Sequence, residues 1–466
     1  MQIPMADFRT EKDSLGEVTV PANARYGAQT QRAKDNFSVS DYTFPASFIA
    51  AHVRIKRAAA RVNLGLGILD QTRHDAILKA CDAILAGSFA DQFPLDIYQT
   101  GSGTSTNMNV NEVVASVAND WVDASHRIHP NDHVNMSQSS NDTIPTSMHI
   151  SAACELKNTL IPALQRFQRS LAAKAQAFDH VVKSGRTHLM DATPVRLGQE
   201  FAGYEHQVKE GIRRVEQAID ELLPVALGGT AVGTGINCPP TFAKDTIALI
   251  AQETGIAFRE SENHFEAQGT KDGFVSAHGH LQTLAVSLLK IANDIRHLSS
   301  GPTSGLSEIS LPSIQPGSSI MPGKVNPVMS EAMMMVSARV MGNQTTMVVG
   351  GQHSNFELNV MMPVMAHAML ESIQILSGVL DSFRVKCLDG IEANEARCKE
   401  LLERNPAIAT ALNRTIGYDL GSKVAKKAAA EGRSVRDVVL ELGLLSESQL
   451  DELLNVRNMT EPGIPG

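Results

Sequence analysis

The chain is poor in aromatic side chains, which make up 5% of its 466 residues, with five Tyr and one Trp. Strands draw on aromatic and β-branched residues, so this scarcity favours helices. Cysteine is also sparse. Its five copies, Cys81, Cys154, Cys238, Cys387 and Cys398, are odd in number, and no two stand as CxxC. That argues against a disulfide framework or a Cys-rich zinc site, and it fits reduced thiols in the cytoplasm. There is no basic excess. The 41 Lys and Arg face 50 Asp and Glu, for a formal net charge of −9. Such a balance is poorly suited to nucleic acid or an anionic membrane. No run of about 18 apolar residues is free of charge, so no bilayer span is expected. The opening MQIPMADFRTEKD has neither an apolar core nor an Arg/Ser-rich amphipathic pattern, so no export or transit signal is expected.

The composition that remains is globular, with 43% hydrophobic and 20% charged residues. The length suits about three domains or one large composite fold. Apolar residues at steps of three and four predict long helices. One stripe runs through Leu156, Leu160, Ile161, Leu164, Phe167, Leu171, Ala175 and Phe178. A second joins Phe201, Tyr204, Val208, Ile212, Val215, Ile219 and Leu222. A third, Leu281, Leu284, Leu288, Ile291, Ile295 and Leu298, approaches a heptad seam. A fourth follows Met365, Met369, Ile373, Leu376, Leu380 and Phe383, and a Met-rich helix is expected over Glu331 to Val349. Five such helices predict a mainly α fold with an extended bundle. Their apolar surface exceeds what a thin bundle covers, which favours self-association. From about Ile391, short helices of mixed charge suggest a small C-terminal domain, and the final NMTEPGIPG is expected to fray.

Polar, Gly-rich stretches separate the helices at Gly101–Asn111, His129–Pro145, Gly185–Pro194, Gly228–Pro240 and Gly301–Pro327. The last spans 27 residues, long enough to suggest a mobile functional loop. Within it, GSSIMPGKVNP (Gly317 to Pro327) offers two hydroxyls, Lys324, Asn326 and flexible glycines. Its amides and Lys324 could hold an anion, and a serine beside a cation loses its proton more easily. A solvated loop is the plain alternative. SQSSND (Ser137 to Asp142) precedes a helix expected to begin near Pro145. There Ser139, Ser140 and Asn141 could bind a carboxylate, or Asn141 or Asp142 could merely cap the helix. GSGTSTNMNVNEV (Gly101 to Val113) is similarly dense in hydroxyls and amides but is not a Walker A sequence. GRTHLMDATP (Gly185 to Pro194) sets His188 among Arg186, Thr187 and Asp191, as a candidate acid or base or as a structural histidine. His126, His129 and His133 invite a metal reading, but Pro130 breaks any helix that would align them and no HExxH is present. GGTAVGTG (Gly228 to Gly235) lacks the βαβ context of a dinucleotide loop.

Taken together these segments resemble a family. GSSIMPGKVNP is similar to the signature of the fumarase/aspartase superfamily. With GSGTSTNMNVNEV, HPND, SQSSND, GRTHLMDATPVRLGQEF and KVNPVMSEA it resembles class II fumarate hydratase. The likeness runs from FRTEKDSLGEVTVPANARYGAQTQR near Phe8, through GYDLGSKVAKKAAAEG, to NMTEPG. Aspartases typically carry Gln at the position of His188 and PAKVNP in place of PGKVNP, so both points favour fumarase.

The resemblance implies a three-part subunit, divided at 1–138, 139–392 and 393–466. A central five-helix bundle would assemble into a homotetramer with a twenty-helix core, each active site drawing on three subunits. It implies a small dicarboxylate substrate, no cofactor and no metal, with no nucleic acid or membrane partner. Ser318 becomes the base that takes the C3 proton of malate, its alkoxide stabilised by loop N–H groups and nearby cationic charge. Lys324 and Asn326 become ligands of the substrate carboxylate. His188, oriented by Glu331, manages the water and the leaving hydroxyl. Ser102, Gly103, Thr104, Ser139, Ser140, Asn141, Thr187, Ser319 and Val325 complete the substrate-binding set. A second dicarboxylate site is implied at His129, Pro130, Asn131 and Asp132. There the chain departs from the family: His126 stands where Arg is expected, with Arg127 beside it. The segment between Glu112 and His126 also looks shorter than in relatives. An ammonia-lyase acting on aspartate and a non-catalytic structural use of the bundle are the competing readings.

Overall fold

A computed structural model describes residues 7–463 of the chain. Among these, helices dominate, and strands occur only as five two-stranded sheets. In chain order the larger elements begin with β1 (Phe8–Asp13), β2 (Gly16–Pro21), α1 (Ala28–Asn36), α2 (Ala46–Gly65), α3 (Gln71–Leu85), α4 (Thr104–Ala118), α5 (Ser140–Glu155) and α6 (Ile161–Ala177). Then come β3 (Val182–Thr187), β4 (Met190–Arg196), α7 (Leu197–Glu221), α8 (Phe242–Thr254), α9 (His264–Gly269), α10 (Asp272–Leu298), α11 (Val328–Gln352) and α12 (Met362–Lys386).

The five expected long helices are all present. The α10 stripe, Leu281 through Leu298, is at most 6% exposed at every position, so the near-heptad pattern marks a buried seam. On α12 the stripe from Met365 to Phe383 is equally buried. On α7, Phe201, Tyr204, Val208 and Val215 are buried, as is Leu222 just past its end, whereas Ile212 and Ile219 lie half-open. The helix expected from Leu156 begins earlier, at Ser140. It runs to Ala177 through a π-helical turn at Leu156–Leu160. One helix, Met362–Gly390, is long and apolar enough to cross a membrane by composition, but 67% of its apolar window is buried within the fold, as in a core helix.

The chain forms two compact, discontinuous units. The first comprises Met1–Pro162, Arg213–Ala285 and Ala338–Ser377. The second comprises Ala163–Ile212, Val286–Ser337 and Gly378–Gly466. The dividing points fall inside the long helices, so the units cut across chain order.

In the first unit, α2 contacts α3, α5 and α8. Its centre is a polar cluster rather than a purely apolar one. Lys56, only 1% exposed, donates to Asn107 Oδ1 at 2.7 Å, Asn135 Oδ1 at 3.0 Å and Gln138 Oε1 at 3.1 Å. Burial pushes its ammonium down to about 7.

In the second unit, the C-terminal helices have their own core of Leu402, Ile408, Leu412, Val424, Val435, Val438, Val439 and Leu450. The tail is tied down as far as Glu461. Arg196 donates to Thr460 Oγ1 at 2.9 Å and ion-pairs with Glu461, and Gln199 donates to the Thr460 carbonyl at 3.0 Å. These hydrogen bonds hold a segment whose composition alone suggested a free end. Residues 1–6 and 464–466 lie outside the described residues.

Candidate active site

The expected site residues fall into two groups, one in each unit. In the first unit, α4 and α5 bring their N-termini together. Ser102 Oγ and Thr104 Oγ1 lie 2.7 Å apart, and Thr104 Oγ1 and Ser140 Oγ are also separated by 2.7 Å. Three hydroxyls from two segments thus form a continuous chain at two helix starts. Free N–H groups and the positive dipole ends there favour an anion.

Glycines permit this approach. A Cβ on Gly101 would stand 1.9 Å from the Val360 carbonyl oxygen, and Gly103 caps α4 at φ +71° against Ile144.

The start of α5 differs from the sequence expectation. The helix begins at Ser140, not near Pro145, and Ser139 is the cap rather than Asn141 or Asp142. Asp142 closes a capping box by accepting from the Ser139 N–H at 2.9 Å, so the first turn forms ahead of the proline. The carboxylate reaches further, accepting from the N–H groups of Gly228 at 3.1 Å and Thr230 at 2.9 Å. Asn141 Nδ2 donates to the Ala231 carbonyl at 2.8 Å. The Gly228–Gly235 stretch is therefore a collar around the start of α5. Gly228 at φ +104° and a close packing of Gly229 against Gln268 explain its glycines. Burial pushes the Asp142 carboxyl up to about 6 despite these donors. Asp142→Ala is expected to destabilise the protein by about 3 kcal/mol, since three N–H groups, two of them buried, lose one charged acceptor. A urea denaturation midpoint equal to the parent's would show the collar to be held by other contacts.

In the second unit, the loop after α10 is partly ordered by backbone pairing. Ile309–Ser310 pairs with Glu392–Ala393 as a short antiparallel ladder. Beyond it, the Gly317 N–H donates to the Lys324 carbonyl at 2.8 Å, and Asn326 Nδ2 donates to the Gly317 carbonyl at 2.7 Å. These two bonds close Gly317–Asn326 into a ring. A Cβ on Gly317 would meet the Lys324 oxygen at 2.3 Å, which accounts for the glycine. Ser318 Oγ sits inside the ring and accepts from the N–H groups of Ile320 at 3.2 Å and Met321 at 3.1 Å. Two amide donors aimed at one hydroxyl oxygen favour its anionic form. Ser319, Lys324 and Val325 are exposed on the same loop.

His188 lies not in an open loop but at the tip of the β3–β4 hairpin. Thr187 pairs with Met190, leaving His188 and Leu189 as a two-residue turn. Both have positive φ, +57° and +59°, a type I′ pattern that ordinarily selects Asn-Gly. Non-glycine residues held there carry strain of a kind that clusters at functional sites. Glu331 stands exposed in the first turn of α11. The side chains of His188, Lys324 and Glu331 make no hydrogen bond or ion pair among the described residues, so His188 and Glu331 are not paired within this chain.

The HPND segment forms a turn of π-helix, Pro130–Val134, capped by His129. It borders a cavity whose wall includes Arg9, Arg25, Arg127, His129 and Asn131. His126 turns to Asp123, at 3.0 Å, while the Arg127 guanidinium has no partner among the described residues. The same wall also carries the acidic side chains of Glu11, Asp13 and Asp120. Among the described residues no three His, Cys, Asp or Glu side chains converge as metal ligands.

Sequence reading missed the polar cluster of Lys56, Asn107, Asn135 and Gln138, and the scaffolding role of Asp142. The close spacing of Asn107, Asn109 and Asn111 on one helix, ahead of the apolar Val113–Val114, was the available signal.

Known proteins resemble this chain over nearly its whole length. A lyase family model matches residues 16–342, and a fumarase C C-terminus model matches residues 408–461. A class II fumarate hydratase from Nitrosomonas europaea is 48% identical over 461 residues, covering 98% of this chain and 100% of the relative. One from Halobacterium salinarum is 51% identical, covering 98% of each. The crystal structure of a class II fumarase from Schistosoma mansoni superposes with a TM-score of 0.95 at 38% identity, covering 98% of this chain and 100% of that one. A fumarate lyase:delta crystallin from Brucella melitensis gives 0.94 at 41% identity with the same coverage. With family models spanning most of its length and about half its residues shared with such enzymes, this chain belongs to the class II fumarase family of lyases.

Proposed function

We propose that this chain is a metal-independent fumarate hydratase that interconverts fumarate and S-malate. The observation that carries the reading is the Ser318 hydroxyl, held under the two N–H groups of Ile320 and Met321 in a ring that also carries Lys324 and Asn326. The difficult step is removal of the malate C3 proton, because the adjacent carboxylate is already negative. Ser318, as an alkoxide, takes that proton. The C–H electron pair moves into the carboxylate and forms an aci-carboxylate. A neutral serine is too weak for this, and the two amide donors with nearby cationic charge supply the stabilisation. Lys324 and Asn326 face the charge that develops on the carboxylate. The C2–O bond then breaks, and His188 manages the proton that lets the hydroxyl leave as water while the double bond forms. The hydroxyl chain of Ser102, Thr104 and Ser140, with Gly103, Ser139, Asn141, Thr187, Ser319 and Val325, completes the dicarboxylate pocket. Closure of the Ser318 loop excludes bulk water.

The working form is a homotetramer whose active sites are each shared by three subunits, with three consecutive parts, 1–138, 139–392 and 393–466, in each. Two observations support this. Helix α11 carries only Glu331 and Arg339 as charges along 25 residues, and Met335, Val348 and Val349 on it are exposed. A long helix with so few charges and with large apolar side chains left exposed belongs inside an assembly. The unpaired side chains of His188 and Glu331 then meet across subunits. The HPND cavity is a second dicarboxylate site that uses Arg127. The five free thiols support a cytoplasmic location.

Purified protein mixed with S-malate and EDTA is expected to produce fumarate, followed by its ultraviolet absorbance, and to release no ammonia from aspartate. Ammonia from aspartate would make the chain an amino-acid lyase. Activity lost to EDTA would overturn the metal-independent mechanism.

A further inference from the structure

The second unit contains a cluster of buried charge that the chemistry above does not use. Glu308 and Lys183 are both fully buried. Arg186 grips Glu308 with both prongs of its guanidinium, each at 2.8 Å. Lys183 Nζ stands 3.2 Å from Glu308 and 2.9 Å from Glu200, and also donates to the Ser184 carbonyl at 3.0 Å. Two cations thus meet two carboxylates, with Lys183 and Glu308 fully buried and Arg186 and Glu200 at the edge of the cluster. Such an arrangement is a weak source of stability, because desolvation offsets most of the attraction. Its distinctive property is geometric: a bidentate arginine fixes both distance and plane.

The position of each member gives that geometry a purpose. Lys183 and Arg186 lie on β3, and Arg186 precedes His188 by two residues. The turn beyond it holds His188 and Leu189 at positive φ, a conformation that persists only when its surroundings impose it. Glu308 comes from the other chemical segment. It lies at the start of the loop that carries Ser318, and its own N–H and carbonyl are bound to the Leu298 carbonyl and the Asn394 N–H, each at 2.9 Å.

We propose that Glu308 is a positioning residue for the hydration reaction. Through Arg186 and Lys183 it fixes the His188 hairpin and the base of the Ser318 loop to one buried charge cluster. The proposal rests on the roles given above to Ser318 and His188.

The test is Glu308→Gln in the full chain, which keeps shape and removes charge. Its kcat for fumarate formation is expected to fall about 10²-fold, the penalty for misplacing a reacting group by about 1 Å, with KM within threefold of the parent. The deuterium isotope effect on kcat with C3-deuterated malate is expected to rise, because proton abstraction becomes slower relative to release. A merely structural role would reduce the active fraction and leave the isotope effect unchanged. Arg166→Gln, which removes the Arg166–Asp381 pair of the same unit, serves as the stability control and is expected to keep the parent kcat and isotope effect. Should Glu308→Gln not fold, Arg186→Lys keeps every charge but loses the two-pronged grip. It is expected to lower kcat about tenfold with the same rise in isotope effect. A kcat within threefold of the parent, or an unchanged isotope effect, overturns the proposal. Parent protein that makes no fumarate from malate would instead overturn the hydratase reading. A fully active Ser318→Ala would overturn the site assignment.

Discussion

Ser318→Ala is expected to lower kcat for fumarate formation by about 10³-fold, within the range usual for a positioned proton-transfer group. The argument is local. Ser318 Oγ is the oxygen at which the Ile320 and Met321 N–H groups converge, and alanine leaves them nothing to stabilise. The loop itself should survive. Its ring is closed by the Gly317–Lys324 backbone bond and by Asn326 on the Gly317 carbonyl, neither of which involves the serine side chain. KM, circular dichroism and assembly size are therefore expected to stay near the parent's. A variant that keeps a tenth of the parent turnover would move the base elsewhere and leave the two amide donors as a simple turn motif.

Lys324→Met is expected to reduce kcat/KM by about 10²- to 10³-fold, the scale of losing one donor aimed at developing charge. Methionine preserves the length and apolar stem of lysine and removes only the ammonium. That ammonium is exposed and has no hydrogen bond or ion pair among the described residues, so its removal breaks no internal contact. A drop shared between kcat and KM is the expected pattern, because the same charge meets the dicarboxylate before reaction and the aci-carboxylate during it. A loss confined to KM would reduce Lys324 to a ground-state ligand. Unchanged kinetics would remove it from the site.

Much of the architecture can be read from residue order. The stripe from Leu281 to Leu298 and that from Met365 to Phe383 needed only the 3.6-residue period to be assigned, and both are buried. The Ser318 loop was also legible, because its Gly, Ser, Lys and Asn residues lie within one short segment and close a ring among themselves. His188 was legible as a residue type but not in its conformation. A His-Leu pair carries no turn signal, and the hairpin is imposed by the strands on either side.

Other features were hidden because they depend on partners distant in sequence. Asp142 reads as a local cap, yet its second oxygen belongs to a collar 86 and 88 residues away. Lys56 lies between Ile55 and Arg57 in a stretch that also carries Arg54 and Arg61, so it reads as one more surface cation. Its three amide acceptors come from α4 and from the segment before α5. Glu308 and Arg186 are separated by 122 residues. Helical periodicity arises from hydrogen bonds between residues four apart, so the order of side chains along the chain is enough to specify it. Burial of a charge is decided only when distant segments close on one another and exclude water, and no short window of sequence contains that information.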